Sequence, residues 1–134
     1  MSIALEAKTV MQECLERSHA GTMSFGEVAG NLMGAGVESY LADYRRGENV
    51  YYMPTGETYA VASAQPAVQI EPEFDAEAVR AAIRGAQSGA VKYPEFVCLT
   101  RAAGCVGYFV WIAGRHVQYF GRRGEVHVEK FPGT

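Results

Sequence analysis

The chain has 134 residues, a net charge of −3, 20% charged residues and 11% aromatics. That is enough for one domain with a core of its own, and the composition is not that of a disordered chain. The acidic balance excludes the broad basic footprint of a nucleic-acid binder, no apolar run reaches the ~18 residues of a membrane span, and residues 1–8 lack a basic-then-apolar signal pattern.

Residues 3–19 read as an amphipathic helix, because Ile3, Ala7, Val10, Met11, Cys14, Leu15 and Ser18 follow a 3.6-residue period. Ser2 is the expected N-cap and Gly21 the stop. His19 falls in the last turn, where a partly cationic ring would suit the helix dipole. Ser24-x-x-Glu27 is a capping box that starts a short second helix, with Met23 and Val28 at staple spacing. After Gly36 the period falls to two, and residues 37–45, 49–52 and 57–63 read as a three-stranded meander. Its turns are Arg46-Gly47 and Pro54-Thr55-Gly56.

Residues 64–72 lack periodicity and read as a linker. Asp75 caps a third helix with the stripe Ala78, Val79, Ala82, Ile83 and Ala86, and a fourth helix follows at 94–103. A second meander occupies 107–113, 116–120 and 125–131, turning at Gly114-Arg115 and across residues 121–124.

The order ααβββ therefore occurs twice. An ungapped offset of 68 residues puts Gly36 on Gly104, Tyr40 on Tyr108, Tyr51-Tyr52 on Tyr119-Phe120 and Gly56-Glu57 on Gly124-Glu125. This argues for one unit used twice, with repeat 1 at about 3–63 and repeat 2 at about 73–131 of a single domain spanning 1–134. A lone meander cannot bury its apolar face. The expected fold is α+β: a two-layer sandwich from a tandem duplication of the ααβββ unit, with helices on one face of a shared antiparallel sheet.

The turn assignments set Trp111 opposite Gln118, Phe120 opposite Glu125, Gln118 opposite His127 and His116 opposite Glu129. One face then carries Tyr108, Val110, Ile112, Val117, Tyr119, Val126 and Val128 as core. The open face carries Phe109, Trp111, His116, Gln118, Phe120, Glu125, His127 and Glu129, and in the first repeat Leu41, Asp43, Arg45, Glu48, Val50, Tyr52, Glu57 and Tyr59. Polar alternation is what a solvated sheet face requires. Trp111, Phe109 and Phe120 together exceed it and form an apolar patch. A ligand or partner surface is therefore sought among Trp111, Phe109, Phe120, Leu41, Tyr52 and Tyr59, with Arg45, Glu57, Glu125 and His127 supplying hydrogen bonds. A pocket is expected on that face, at the seam between the repeats.

His116, His127, Glu125 and Glu129 could hold a divalent metal or share acid-base work, but any polar strand pair offers such a grouping. No catalytic residue, metal or cofactor is assigned. Arg115, Arg122 and Arg123 lie at tight turns without a phosphate-loop pattern, so a solvated role outweighs an anion site. Cys14, Cys98 and Cys105 show no C-x-x-C spacing, and Cys14 and Cys98 lie among apolar neighbours as inert thiols. Reduced thiols point to the cytoplasm.

The residues Ile83-Arg84-Gly85-Ala86-Gln87-Ser88-Gly89, Tyr93-Pro94-Glu95-Phe96 and Ala103-Gly104-Cys105-x-Gly107-Tyr108 are similar to those of the YdfO-like (YbcV-like) family, as is the ending from Gly114 to Pro132. Gly36-Val37-Glu38-Ser39-Tyr40 with Tyr51-Tyr52 and Gly56-Glu57-Thr58 extends the resemblance over nearly the whole chain. These are small bacterial and prophage proteins, some labelled "phage envelope protein". The resemblance implies a two-layer α/β fold and no activity. The expected function is a non-catalytic binding or protein-interaction module, its partner a second copy, a small molecule or another protein, with neither nucleic acid nor membrane. The alternatives are a small hydrolase-like or metal-dependent enzyme using the His/Glu cluster, and an effector-binding regulatory domain.

Overall fold

The computed structural model describes residues 3–133. Four helices and six strands follow in the order α1 (Leu5–His19), α2 (Phe25–Gly34), β1 (Ser39–Asp43), β2 (Glu48–Tyr52), β3 (Thr58–Ala62), α3 (Ala76–Ser88), α4 (Tyr93–Ala102), β4 (Cys105–Trp111), β5 (His116–Gly121) and β6 (Val126–Lys130). The strands form one antiparallel sheet ordered β3-β2-β1-β4-β5-β6, joined at its centre by β1 and β4. The element order of residues 5–62 recurs in residues 76–130.

Local chemistry sets the helix ends. Ser24 Oγ accepts from the Glu27 N–H at 3.2 Å while Glu27 Oε1 accepts from the Ser24 N–H at 2.9 Å, which is the expected capping box. Asp75 Oδ1 accepts from the Ala78 N–H at 3.0 Å and caps α3. The helix α1 starts at Leu5 with Ala4 as its uncapped flank, and Ser2 lies outside the described residues. Residues 64–72 cross from the β3 edge to α3 in an irregular path pinned by Arg101 of α4. Its guanidinium donates to Val68 O at 2.6 Å, Gln65 Oε1 at 3.0 Å and Tyr44 O at 3.3 Å.

The expected register fails at both hairpins of the second meander. The Gly121 N–H donates to Glu125 O at 2.9 Å and the Gly124 N–H to Gly121 O at 3.1 Å, so only three residues, 122–124, form the loop. Gly124, at φ +86°, supplies the left-handed residue this three-residue loop needs. Phe120 therefore faces Val126, not Glu125. In the first meander the expected turn Pro54-Thr55-Gly56 forms as a three-residue loop, with Met53 bonded to Glu57 and Gly56 at φ +90°, and it sets Tyr52 opposite Thr58, so Glu57 and Tyr59 cannot share the open face with Tyr52. A slip of one residue turns every side chain of a strand to the other face. Glu57, Tyr59, Glu125, His127 and Glu129 consequently lie on the helix side, while Val126 and Val128 lie on the open side. Trp111 pairs with His116 and Phe109 with Gln118, an even shift that leaves both strands' faces as expected. Arg45 stands in the exposed turn between β1 and β2, outside the sheet.

The core lies between the helices and the inner sheet face, around Met11, Leu32, Val79, Val97, Val110 and Tyr51. Cys14 and Cys105 are buried there, whereas Cys98 is half-buried. Burial pushes the Cys105 thiol up to about 12, so it stays protonated.

Candidate functional site: a tyrosine-floored cavity and an aromatic sheet face

The inner face carries a row of rings across all six strands. Tyr59 pairs with Tyr51, Tyr51 with Tyr40, Tyr108 with Tyr119 and Tyr119 with His127. Tyr40 and Tyr108 meet diagonally across the β1–β4 join, their centroids 6.4 Å apart. Tyr40–Tyr51 and Tyr108–Tyr119 approach to 5.3 and 5.5 Å. These are contact distances for aromatic pairs.

Above the middle of this row the helices do not close. A cavity of about 690 Å³ is floored by Tyr40, Tyr51, Tyr108 and Tyr119 and walled by α1, α2, α3 at Ile83 and Ala86, and the start of α4 at Tyr93. Its volume falls in the range of small-molecule sites, roughly 300–1,000 Å³. Three hydroxyls of the row are satisfied within the protein: Tyr51 accepts from Asn49 Nδ2 at 3.3 Å, Tyr108 shares a bond with Tyr93 at 2.9 Å, and Tyr59 accepts from Gln12 Nε2 at 2.6 Å. Tyr40 and Tyr119 are 3% and 6% exposed, and neither hydroxyl has a protein partner among the described residues. Both residues line the cavity. Every fully enclosed side-chain polar atom among the described residues is bonded, so these two hydroxyls open onto the cavity space. Burial holds Tyr40, Tyr108 and Tyr119 well above the ordinary phenol range and Tyr93 at about 12. The row thus presents neutral O–H groups, and none is poised as a base or nucleophile.

Sequence reasoning placed Tyr108 and Tyr119 in the core and did not single out Tyr40 or Tyr51. The signal was present: an offset of 68 residues places Tyr40 on Tyr108, Tyr51 on Tyr119 and Tyr59 on His127.

The proposed His/Glu cluster does not assemble. His116 is on the open face beside Trp111, whereas Glu125, His127 and Glu129 are on the other side of the sheet. His127 Nε2 lies 3.4 Å from Glu129 Oε1, and Arg84 Nη1 donates to Glu129 Oε2 at 2.8 Å. Burial raises the Glu129 pKa, but Arg84 and His127 outweigh it and hold the carboxyl below its usual value. No group of three or more His, Cys, Asp or Glu among the described residues could hold a metal ion. Glu125 Oε1 accepts from its own turn's Arg123 N–H, and Glu57 Oε1 from Thr55 Oγ1. Arg123 pairs with Glu73 on the surface and Arg122 donates to Ile70 O, so both arginines are engaged locally.

On the open face Leu41, Val50, Tyr52, Phe109, Trp111 and Phe120 stay together as expected, and Val126 and Val128 join them. Phe109 packs on Trp111 at 4.3 Å and stacks with Tyr52 at 5.8 Å. Trp111 donates its indole N–H to Gln118 Oε1 at 2.7 Å. Trp111, Val126 and Val128 are 39%, 45% and 51% exposed. The large cavity is on the other side of the sheet, and none of these residues lines it. Residues from both halves do meet at it, on the helix face instead of the open one.

His19 ends α1 half-buried, with Nε2 3.0 Å from Ser63 Oγ and its ring edge-on to Tyr93 at 5.3 Å. Burial lowers its pKa, so the neutral ring is favoured and the expected cationic partner of the helix dipole is not its role. The unfolded chain then binds more protons than the folded one just below the ordinary histidine pKa, and stability falls as pH drops through about 6.5. Urea melts of wild type and His19→Gln between pH 7.5 and 5.5 check this; the slope in that window should be shallower in the variant.

The fold and site define a two-layer α+β protein with a half-open, tyrosine-floored cavity and one aromatic sheet face turned away from the helices. No helix among the described residues is long and apolar enough to cross a membrane. The chain belongs to the family described as Protein of unknown function (DUF1398), whose match covers residues 16–130. That description carries no activity, and neither the YdfO-like name nor the envelope label comes with it. Nothing among the curated proteins matches the chain.

Proposed function

We propose that the protein is a non-catalytic binding module that takes a small molecule into the cavity between its helices and its sheet. The observation that carries this is the pair of Tyr40 and Tyr119 hydroxyls, which open onto a space of about 690 Å³ and have no protein partner among the described residues. A ligand that bonds to them replaces the water it displaces from the cavity. In this reading the two halves derive from one duplicated ααβββ unit, the cavity being their shared product. The protein is cytoplasmic, consistent with three free cysteines.

A thermal-shift panel of metabolites tests it. A ligand at about 100 times its Kd should stabilise the wild type by about 2.7 kcal/mol. Ala86→Phe, which places a ring in the cavity wall, should melt normally and lose that shift. A panel with no shifting compound, or a shift retained in Ala86→Phe, would count against the cavity.

The exposed apolar patch favours a second use, for the opposite face. We propose that Trp111, Phe109, Phe120, Leu41 and Tyr52 pack against a second copy of the chain. Six strands at ~4.8 Å spacing and ~17 Å length give each face a projected area of about 490 Å². Two such faces reach the ~1,000 Å² of a specific interface, packing as a sandwich about 10 Å deep. Light scattering should give a dimer for wild type and a monomer for Trp111→Glu. Monomers for both at high concentration would rule this face out as a homodimer contact.

A further inference from the structure

Resting on the cavity reading above, we propose that the occupant is an uncharged aromatic molecule of two or three fused rings that carries hydroxyl or ketone oxygen. Its rings lie against the tyrosine floor and its oxygen bonds to the Tyr40 or Tyr119 hydroxyl. Three features of the cavity select this class. The first is the floor itself. Tyr40, Tyr51, Tyr108 and Tyr119 meet one another at angles from 32° to 72°, offering ring faces and ring edges, to which a flat π-system packs better than a flexible chain.

The second is charge. The floor of tyrosines, with Val28 and Ile83, carries none. The charged lining residues stand at the rim: Lys92, Lys130 and Arg115 are exposed, Arg115 over the Phe131 ring, Glu27 is exposed and held in its capping box, and Glu129 is engaged by Arg84 and His127. An ion taken to the floor would lose its hydration with no counter-charge in return. The third is the pair of phenolic O–H groups that open onto the cavity, whose hydrogen bonds to water a plain hydrocarbon displaces without replacing. A site with such groups discriminates against the ligand lacking the matching oxygen.

Emission of 1-aminoanthracene, which rises in apolar surroundings, reports occupancy of the full chain. Its displacement by 2-naphthol, naphthalene and dodecanoate compares the classes. We expect 2-naphthol to displace the probe at about five- to tenfold lower concentration than naphthalene, the ratio one neutral hydrogen bond supplies. Tyr40→Phe and Tyr119→Phe keep both rings, and the double variant should erase that ratio while leaving displacement by naphthalene unchanged. Circular dichroism and melting of each single variant establish that the fold persists. Equal displacement by naphthalene and 2-naphthol in wild type overturns the oxygen requirement. Tighter displacement by dodecanoate overturns the aromatic class in favour of an acyl chain. A ratio unchanged in the double variant removes Tyr40 and Tyr119 from recognition. If 1-aminoanthracene fails to bind wild type at all, the binding reading itself fails, a result distinct from the other three.

Discussion

Gly104→Ala should cost about 3 kcal/mol or more, or prevent folding, while Gly36→Ala, at the matching place in the other half, should cost only about 1–2 kcal/mol. Both glycines follow a helix C-terminus in the left-handed region, at φ +88° and +90°. They differ in what lies alongside. A Cβ on Gly104 would collide with the Glu73 carbonyl oxygen and sit 2.9 Å from Phe74 Cα, both fixed backbone, where residues 73–75 run past and the Asp75 N–H donates to Ala103 O at 2.8 Å. A Cβ on Gly36 would meet only Met53 Cε at 3.5 Å, the end of a flexible side chain. Urea melts of the two variants measure the difference directly. Similar losses at both sites would mean that conformational strain, not the close approach of residues 73–75, sets the cost.

Arg101→Met should lose about 2–3 kcal/mol and expose residues 64–72 to limited proteolysis. The guanidinium bonds Val68 O, Gln65 Oε1 and Tyr44 O, stands over the Tyr44 ring at 6.0 Å, and has its own carbonyl bonded by the Glu71 N–H at 3.1 Å. One side chain thus holds a segment that has no regular hydrogen bonding of its own. Methionine keeps the aliphatic bulk and removes the donors, so the effect separates polar anchoring from packing. Protection of the segment in Arg101→Met would show that Arg122, which donates to Ile70 O at 3.0 Å, suffices.

Much of the architecture was legible because it is written in local chemistry. Ser24 and Glu27, Asp75, the stripe of α3 and the period-two runs each act within a few residues, and each produced the element expected of it. The face assignment of β3 and β6 was not legible. In β6 it turns on whether Gly124 closes a three- or a four-residue loop, a choice that Gly-Arg-Arg-Gly leaves open; in β3 it turns on how the Pro54-Thr55-Gly56 loop sets Thr58 opposite Tyr52; together these invert seven side chains. The tyrosines were readable as inward-facing. That the helices stand far enough apart to leave a cavity over Tyr40 and Tyr119 depends on packing between distant segments, which no periodicity reports. The open face survived the register error because its centre, Leu41, Tyr52, Phe109, Trp111 and Phe120, lies on the four inner strands.

The sheet also has two free margins. Strands β3 and β6 each hydrogen-bond to one neighbour only, and β6 places Val126 and Val128 where they are exposed at that margin. Unpaired strand edges with apolar side chains template pairing with other chains, and natural proteins limit this with short strands and charge. Here the restraint is a length of five residues and the exposed Lys130 at the end of β6. Loss of that charge would weaken the barrier. Removing Lys130 should leave the fold intact and lower the concentration at which the protein stays in solution, making colloidal behaviour, not stability, the quantity most sensitive to this strand.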